Sequence, residues 1–250
     1  MRAFAKNSVN KRGFAVFHFL TIVENYSIIR GDYDGGGVSL LTIGLCGGSG
    51  TGKTEAQADF ALCGIPGLDT DAVYHALIAS DTPLTRELAE CFGEGILTAG
   101  GGVDRAILAT LVFGEDEESV HRRKHLNSIT HRAVLAECRE WLAKQHAAGA
   151  YAAIINAPLL FESGFHTECD LTVAILAPRE ARIDRIVARD GISRVNAARR
   201  IDAQLDDEYL IAHTDYQIDN NSQRADLYTK VAHLASIIKN ISGESKNGKQ

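Results

Sequence analysis

The stretch GGSGTGKT at Gly47–Thr54 decides the fold, because it fits the pattern G-x-x-x-x-G-K-[ST] at every fixed position. An apolar run, Leu40–Cys46, precedes it, and a helical pattern from about 53 to 63 follows it. Glycines let successive backbone N–H groups turn toward one anion, and the opening helix adds the positive end of its dipole. The stretch therefore predicts a phosphate-binding loop between a buried strand and a helix.

Working outward from the loop, short apolar runs alternate with longer helical patterns. The predicted strands are 40–46, a second ending at Asp69, 151–157, 171–177 and 216–219. The predicted helices are 53–63, 72–92, 104–113, 118–147, 179–190, 193–206 and 223–239. This alternation predicts an α/β fold of three layers, in which a parallel five-stranded sheet is covered by helices on both faces. With the phosphate loop, the pattern is that of a P-loop NTPase.

The two ends of the chain differ in composition from the middle. Residues 1–38 show no lasting periodicity and end in a glycine-rich run, so we expect a flexible extension there. One hypothesis is that the native chain starts near Val38. Residues 39–240 form the predicted catalytic domain, and 241–250 form a polar tail.

Bulk composition excludes several classes of protein. The formal net charge of −6 disfavours a nucleic-acid binder, which needs a broad basic surface. The five cysteines show no metal-ligand spacing, which indicates buried thiols in a reducing compartment. No apolar run approaches the roughly 18 residues needed to cross a membrane. We therefore expect a cytoplasmic protein that binds neither nucleic acid nor membranes.

Polar residues that follow the predicted strands are the first candidates for chemistry. Lys53 can bridge the β- and γ-phosphates of a nucleotide, and the Thr54 hydroxyl can ligate Mg²⁺. Asp69 and Asp71 come at the carboxyl end of the second strand, where ligands bind in parallel sheets. A carboxylate there can accept the proton of an attacking hydroxyl, or it can simply cap the next helix.

Seven arginines lie between 179 and 200, in an otherwise acidic chain. Arg182, Arg185 and Arg189 share one face of a helix. Phosphoryl transfer needs positive charge around the transferred group, and a closing lid supplies it while excluding water. The alternative is a solvated helix face with ion pairs.

Several motifs together resemble dephospho-coenzyme A kinase. Beside the loop they are Asp69-Thr70-Asp71, the run Pro158–Glu162 and the closing Thr214–Asn220, in the family's order from about 41 to 221. The resemblance implies transfer of the γ-phosphate of ATP, with Mg²⁺, to the 3′-hydroxyl of the ribose of dephospho-coenzyme A. It also implies an acceptor-binding helical region at about 72–147, a lid at about 179–206, and a monomer or weak homo-oligomer.

The resemblance also implies roles for individual residues. Asp71 corresponds to the carboxylate that activates the ribose hydroxyl, and Lys53 and Arg185 complete the expected catalytic set. The expected acceptor contacts are Asp69, Asp71, Arg105, Pro158, Leu159 and Leu160. The expected ATP contacts are Gly48, Ser49, Gly50, Thr51, Gly52, Lys53, Thr54, Arg185 and Arg189.

Three positions depart from the family pattern. Thr70, in the middle of the triplet at 69–71, replaces an alanine, which is a small change. Arg132 replaces a proline after His131, so we expect a differently built acceptor region. We expect His131 itself to have a packing or hydrogen-bonding role. Leu210 replaces a basic residue and removes a charge near the nucleotide or lid. Two alternatives stay open: a P-loop kinase of another small molecule, such as a nucleoside or nucleotide, and an inactive nucleotide-binding relative.

Overall fold

A parallel five-stranded sheet forms the centre of the protein, as the sequence predicts. The computed structural model describes residues 40–114, 116–221 and 223–247, with side chains to 242. The predicted N-terminal extension lies outside these residues. The strand order is β2-β3-β1-β4-β5, with Leu41 of β1 opposite Ala152 of β3 and Ile43 opposite Leu171 of β4. The strands are β1 Leu41–Cys46, β2 Gly67–Asp69, β3 Ala152–Asn156, β4 Leu171–Leu176 and β5 Tyr216–Asp219.

Helices connect the strands and cover both faces of the sheet. In the described residues they are α1 Lys53–Leu62, α2 Thr70–Ile78, α3 Pro83–Phe92, α4 Arg105–Val112, α5 Glu117–Ala147, α6 Arg179–Asp190, α7 Arg194–Asp202, α8 Asp207–His213 and α9 Arg224–Asn247. Short 3₁₀ turns follow α3 and β3 at Glu94–Ile96 and Phe165–Glu168.

Three predicted helix boundaries are wrong. The single helix predicted over 72–92 is two helices, because Thr82 caps α3 through a capping box and Pro83 occupies its first turn. The lid helix predicted over 193–206 ends at Asp202, and Asp206 then caps the unpredicted α8. The last helix continues to Asn247, so most of the predicted polar tail is helical.

Successive side chains along each strand point to opposite faces of the sheet, so the core is divided between the two faces. Ile43 and Leu45 of β1 pack with Phe60 of α1 and with apolar residues of α9 on one face. On the other face, Cys46 packs with residues of α5 and with Leu210 of α8. This division gives the predicted three layers. It also brings the carboxyl ends of all five strands to one edge of the sheet, where the phosphate loop lies.

The region predicted to bind the acceptor, about 72–147, and the predicted lid, about 179–206, each have an apolar cluster of their own; below they are called by these predicted names. In the acceptor-binding region, α3, α4 and α5 pack around Leu88, Leu108 and Ile129. Arg132 of α5 forms an ion pair with Glu87 of α3, so the residue that departs from the family pattern ties these two helices together. In the lid, α6 and α7 pack through Ile186 and other small aliphatic residues.

No helix in the described part of the chain combines the length and the apolar character that crossing a bilayer requires.

Candidate active site

The phosphate loop joins β1 to α1 through glycines that adopt left-handed backbone conformations. Gly50 has a φ of 77° and Gly52 a φ of 97°, values that a residue with a Cβ adopts only under strain. Gly52 immediately precedes the first residue of α1, so the N-terminal N–H groups of that helix open toward the loop. The local sequence thus builds the anion site that the motif predicts.

Polar side chains hold the carbonyl groups of the loop. The Lys53 ammonium donates hydrogen bonds to Gly47 O at 2.7 Å and to Gly48 O at 3.3 Å. The buried Asn220, which follows β5, donates from Nδ2 to Thr51 O at 2.8 Å. With its carbonyls bound in this way, the loop keeps most of its N–H groups for a phosphate.

Arg185 of α6 also holds the loop. Its guanidinium donates to Gly50 O at 3.0 Å and to Asn220 O at 3.1 Å, so it bridges the phosphate loop and the segment after β5. The structure therefore brings Arg185 to the predicted nucleotide site. There it contacts the backbone of the loop.

Arg182 lies closer to the start of the loop, and sequence reasoning did not select it. Only 4% of Arg182 is exposed; its Nε donates to Ser49 O at 3.0 Å and its Nη1 pairs with Asp207 of α8 at 3.1 Å. Its Nη2 is buried and has no hydrogen-bond partner among the described residues. A Cβ added to Gly48 would lie 1.9 Å from this Nη2, so the glycine is what allows the guanidinium so close.

Gln204, just after α7, makes a second contact from the lid to the loop. Its Oε1 accepts a hydrogen bond from Ser49 N at 2.8 Å. An amide oxygen thus occupies one loop N–H group that could otherwise face a phosphate.

Asp69 and Asp71 lie where β2 passes into α2. Asp69 caps the helix, since its Oδ1 accepts from Asp71 N at 2.9 Å and from Ala72 N at 3.4 Å. The Asp71 side chain makes no hydrogen bond within the described residues and is accessible to solvent. The two carboxylates therefore differ: Asp69 builds the helix start, while Asp71 stays free to meet a ligand.

The pKa values of Asp71 and Lys53 are coupled across the site. Partial burial, and then the charge of Asp69, raises the pKa of Asp71, while the nearby Lys53 lowers it. Burial lowers the pKa of Lys53 to about 8, and the negative charge of Asp71 opposes that change. A carboxylate with a raised pKa is a better proton acceptor, and it faces the cation that would hold the phosphates.

A pocket of about 310 Å³ begins at Asp71 and runs between the acceptor-binding helices and the loop after β3. Pro158 and Leu159, two of the predicted acceptor contacts, are part of its lining. The complete lining is Thr70, Asp71, Tyr74, Leu126, Asn127, Thr130, His131, Val134, Leu135, Ala157, Pro158, Leu159, Ser163 and Phe165. His131, for which the sequence predicts packing, therefore belongs to this wall.

The Leu160 and Arg189 side chains do not face the pocket or the phosphate loop in this structure. The Leu160 side chain is fully buried against β1, where a Cβ on Gly44 would lie 2.7 Å from its Cδ2, and it is not part of the pocket lining. The Arg189 side chain is 60% exposed and pairs with Asp190 at 2.7 Å. It does not contact the phosphate loop.

Three further residues that the sequence singled out differ in burial: Leu210 is buried, whereas Arg105 and Thr54 are exposed. Leu210 is 4% exposed in the core beneath α8, so in this chain its position faces apolar residues. Arg105 is exposed at the start of α4. Burial raises the pKa of the pocket residue Tyr74, and the positive charge of Arg105 opposes that change. Thr54 is exposed in the first turn of α1, and its hydroxyl makes no hydrogen bond within the described residues.

The side chains around the loop suit a magnesium ion held mainly by a nucleotide. They offer the Thr54 hydroxyl and the carboxylates of Asp69 and Asp71, which are the hard oxygen donors that Mg²⁺ prefers. Within the described residues, no three His, Cys, Asp or Glu side chains gather into a metal-binding group.

Comparisons with known proteins agree with this geometry. The family model described as dephospho-CoA kinase matches residues 41–226. A dephospho-CoA kinase of Corynebacterium efficiens is 34% identical over 199 residues, which cover 80% of this chain and 98% of that protein. One of Bacillus licheniformis is 31% identical, with 80% and 98% covered.

Solved structures show the same fold. A crystal structure from Thermus thermophilus has a TM-score of 0.67 and 30% identity, and it covers 80% of this chain and 97% of its own. The dephospho-CoA kinase of Campylobacter jejuni, at 23% identity, has a TM-score of 0.53 with 79% and 96% covered. The family match spans the phosphate loop, the acceptor-binding helices and the lid, and the chain belongs to the dephospho-CoA kinase family.

Proposed function

We propose that this chain transfers the γ-phosphate of ATP to the 3′-hydroxyl of the ribose of dephospho-CoA, giving CoA and ADP. Beyond family membership, one observation supports the proposal: Asp71, whose pKa is raised, lines the pocket and is close enough to the Lys53 ammonium to interact with its charge. A phosphate held by the loop and a hydroxyl presented from the pocket would meet at this carboxylate.

Catalysis by these groups rests on positioning and charge. The loop N–H groups and Lys53 hold the terminal phosphates, and Asp71 orients the acceptor hydroxyl and takes its proton as the oxygen attacks. The bond to the leaving ADP breaks as the new bond to the acceptor oxygen forms. Since negative charge spreads over the transferred oxygens, fixed cations at the loop stabilise the transition state.

Arg182 is the lid arginine that we assign to the terminal phosphates. Its Nη2 is buried beside Gly48 without a partner, and an anionic oxygen at the loop would supply the missing acceptor. Arg185 keeps the loop in shape through Gly50 and Asn220. We propose that Arg189 reaches the nucleotide only if it leaves Asp190.

Mg²⁺ is the cofactor we propose, with Thr54 and the carboxylates at positions 69 and 71 as the groups that would hold it or its water ligands. A bound Mg²⁺ neutralises charge on the β- and γ-phosphates during transfer. The fit of these oxygen donors supports the proposal.

We also propose that the enzyme acts in the cytoplasm, as a monomer or weak homo-oligomer, without a nucleic-acid or membrane partner. Its five cysteines, all in the described part of the chain, are free thiols, and its net charge is acidic. Both properties suit a reducing compartment and small-molecule substrates.

The deciding experiment is a coupled ADP-release assay with dephospho-CoA and Mg²⁺-ATP, with nucleosides offered as competing acceptors. Of the acceptors offered, we expect only dephospho-CoA to be phosphorylated, and its product should carry one added phosphate on the ribose. Asp71→Asn is the matched inactive control, because it keeps the shape of the side chain and removes the base. Turnover of a nucleoside in preference to dephospho-CoA, or ATP binding with no transfer, would overturn the proposal.

A further inference from the structure

Helix α8, which the sequence did not predict, lies between the lid and β5 and presents three different sides to its surroundings. Leu210 faces the core and is 4% exposed, so it holds the middle of the helix in place. Because successive residues turn by about 100° around a helix, Asp207 lies on one side of Leu210, and Tyr209 and His213 share the other. These two sides contact different parts of the active site.

One side of α8 is tied to the phosphate loop. Asp207 Oδ1 accepts a hydrogen bond from Arg182 Nη1 at 3.1 Å, and the Nε of the same guanidinium donates to Ser49 O at 3.0 Å. Gln204, which shortly precedes the helix, accepts from Ser49 N at 2.8 Å. A short chain of hydrogen bonds therefore links the start of α8 to both backbone groups of Ser49.

The other side of α8 packs against Phe161 in the turn after β3. The rings of Tyr209 and His213 are stacked, with centroids 4.0 Å apart and an interplanar angle of 16°. The Tyr209 ring meets Phe161 edge to face at 5.6 Å, and the His213 ring meets it at 6.4 Å. The Nδ1 of His213 lies 2.8 Å from Tyr209 O, and since a carbonyl oxygen only accepts, this nitrogen carries the hydrogen. Edge-to-face contacts are a favoured geometry for aromatic rings, so the three rings form one cluster.

Phe161 belongs to the turn that forms one wall of the pocket. Pro158, Leu159 and Ser163 of this turn line the pocket. Hydrogen bonds close the turn, from Ser163 N to Leu159 O at 2.9 Å and from Gly164 N to Phe161 O at 3.0 Å. Leu159 is 47% exposed, so contacts of its own side chain do little to fix it. The aromatic contact with α8 therefore helps to set the position of this wall.

We propose that Asp207 and Tyr209 are positioning residues, through which α8 links the phosphate loop to the wall of the pocket; this inference rests on the proposed function. A phosphate oxygen that binds Arg182 Nη2 fixes that guanidinium and, through it, Asp207. An acceptor in the pocket fixes the turn that carries Phe161 and, through it, Tyr209. The substrate that binds first thus orders the helix for the second, which then loses less conformational entropy. Nucleotide and acceptor therefore each strengthen the binding of the other.

The test measures how far a bound nucleotide changes the affinity for the acceptor. Titration calorimetry on the full chain gives the Kd of dephospho-CoA without and with a saturating, non-hydrolysable β,γ-imido analogue of ATP and Mg²⁺. The ratio of the two Kd values is the coupling factor, and for the wild type we expect roughly 5- to 150-fold. By thermodynamic linkage, dephospho-CoA should strengthen the binding of the analogue by the same factor.

Two substitutions break the link, one on each side of α8. Asp207→Asn keeps the shape of the side chain but removes the charge that pairs with Arg182. Tyr209→Leu keeps an apolar side chain but removes the ring that meets Phe161. Because the link needs both contacts, each substitution should reduce the coupling factor to less than about twofold.

Each variant has a matched control elsewhere on the surface. Glu208→Gln removes a carboxylate that is exposed on α8 and forms no ion pair in the described part of the chain. Tyr228→Leu removes a tyrosine of α9 that is 43% exposed, against 37% for Tyr209. Both controls should keep the wild-type coupling factor. A residue that only stabilises the fold would lower the Tm and weaken the binding of both substrates alike, which leaves the factor unchanged.

A coupling factor of about one in the wild type would overturn the inference. So would a factor that stays near the wild-type value in either Asp207→Asn or Tyr209→Leu, or one that is lost in the two controls as well. In each case the proposed function stands as long as dephospho-CoA is phosphorylated. If the wild type phosphorylates no dephospho-CoA, the proposed function fails, and the inference fails with it.

Discussion

Raising the pH from about 7 to about 9 should lower kcat/KM for ATP, because Lys53 then loses its proton. Burial lowers the pKa of this ammonium to about 8 in the free enzyme. The positive form donates hydrogen bonds and balances phosphate charge, whereas the neutral amine does neither well. The alkaline limb of kcat/KM reports ionisations of the free enzyme, so Lys53 should define it.

The size of the effect follows from that pKa. Roughly nine tenths of Lys53 is protonated near pH 7 and roughly one tenth near pH 9, so kcat/KM for ATP should fall about tenfold. The limiting kcat should stay nearly constant, because the phosphates of bound ATP favour the charged amine and raise its pKa. Stability should move the other way: between pH 8 and 10.5, the unfolded chain binds more protons at this lysine, so its contribution to the free energy of unfolding rises with pH.

The assay is steady-state ADP release at saturating acceptor across this pH range, with Lys53→Arg as the matched variant. Arginine stays charged throughout, so the variant should be slower but should lack the alkaline fall. The reasoning is refuted if Lys53→Arg loses activity by the same factor as the wild type. It is also refuted if the wild-type profile is flat to about pH 9.

Three further predictions concern other charged groups of the site and core. Asp71→Asn should lower kcat by about 10²-fold or more while leaving the affinity for ATP nearly unchanged, measured by turnover and by titration calorimetry. Arg182→Gln should lower kcat/KM for ATP by roughly 10- to 100-fold, because it removes a charged donor beside the loop. Arg189→Gln should change kcat/KM for ATP by less than about threefold, because its guanidinium is exposed and paired away from the loop. Equal effects of the two substitutions would contradict the assignment of Arg182 to the phosphates. Arg224→Met should reduce the free energy of unfolding by about 3 kcal/mol in urea denaturation, since it leaves the buried Asp59 without its counter-charge, and an unchanged midpoint would show that the pair contributes nothing.

Periodicity and motif predicted the sheet well because its central strands are buried on both faces. The run Leu171–Leu176 is apolar except for Thr172 and is wholly buried, which leaves few alternatives to a central parallel strand. Helix boundaries were predicted less well, because they depend on single capping side chains. Thr82 and Asp206 each begin a helix through one local hydrogen bond, and an apolar pattern does not reveal that choice.

How well the position of a site residue could be predicted depended on how many different partners its side chain could have taken. Lys53 and Asp71 come from segments that meet at the edge of the sheet, so strand topology was enough to bring them together. Leu160 sits in a run that resembles the family, but the turn directs Leu159 outward and Leu160 into the core. Asn127 and His131 line the pocket, and the sequence did not select them because one face of a long helix can pack, pair or bind, and only the folded neighbours decide which.

The lid arginines show why spacing alone could not identify the group that meets phosphate. Arg182, Arg185 and Arg189 share a helix face, so their spacing alone does not separate them, and the resemblance selected Arg185 and Arg189. Their surroundings in the structure differ completely. Arg189 is exposed and paired, and Arg185 is bound to backbone carbonyls. Arg182 alone of these three is 4% exposed and keeps a buried N–H group without a partner, at a cost of about 1–3 kcal/mol. A phosphate oxygen at the loop would remove that cost on binding, so the least satisfied arginine in the described lid is the one with most to gain from a nucleotide.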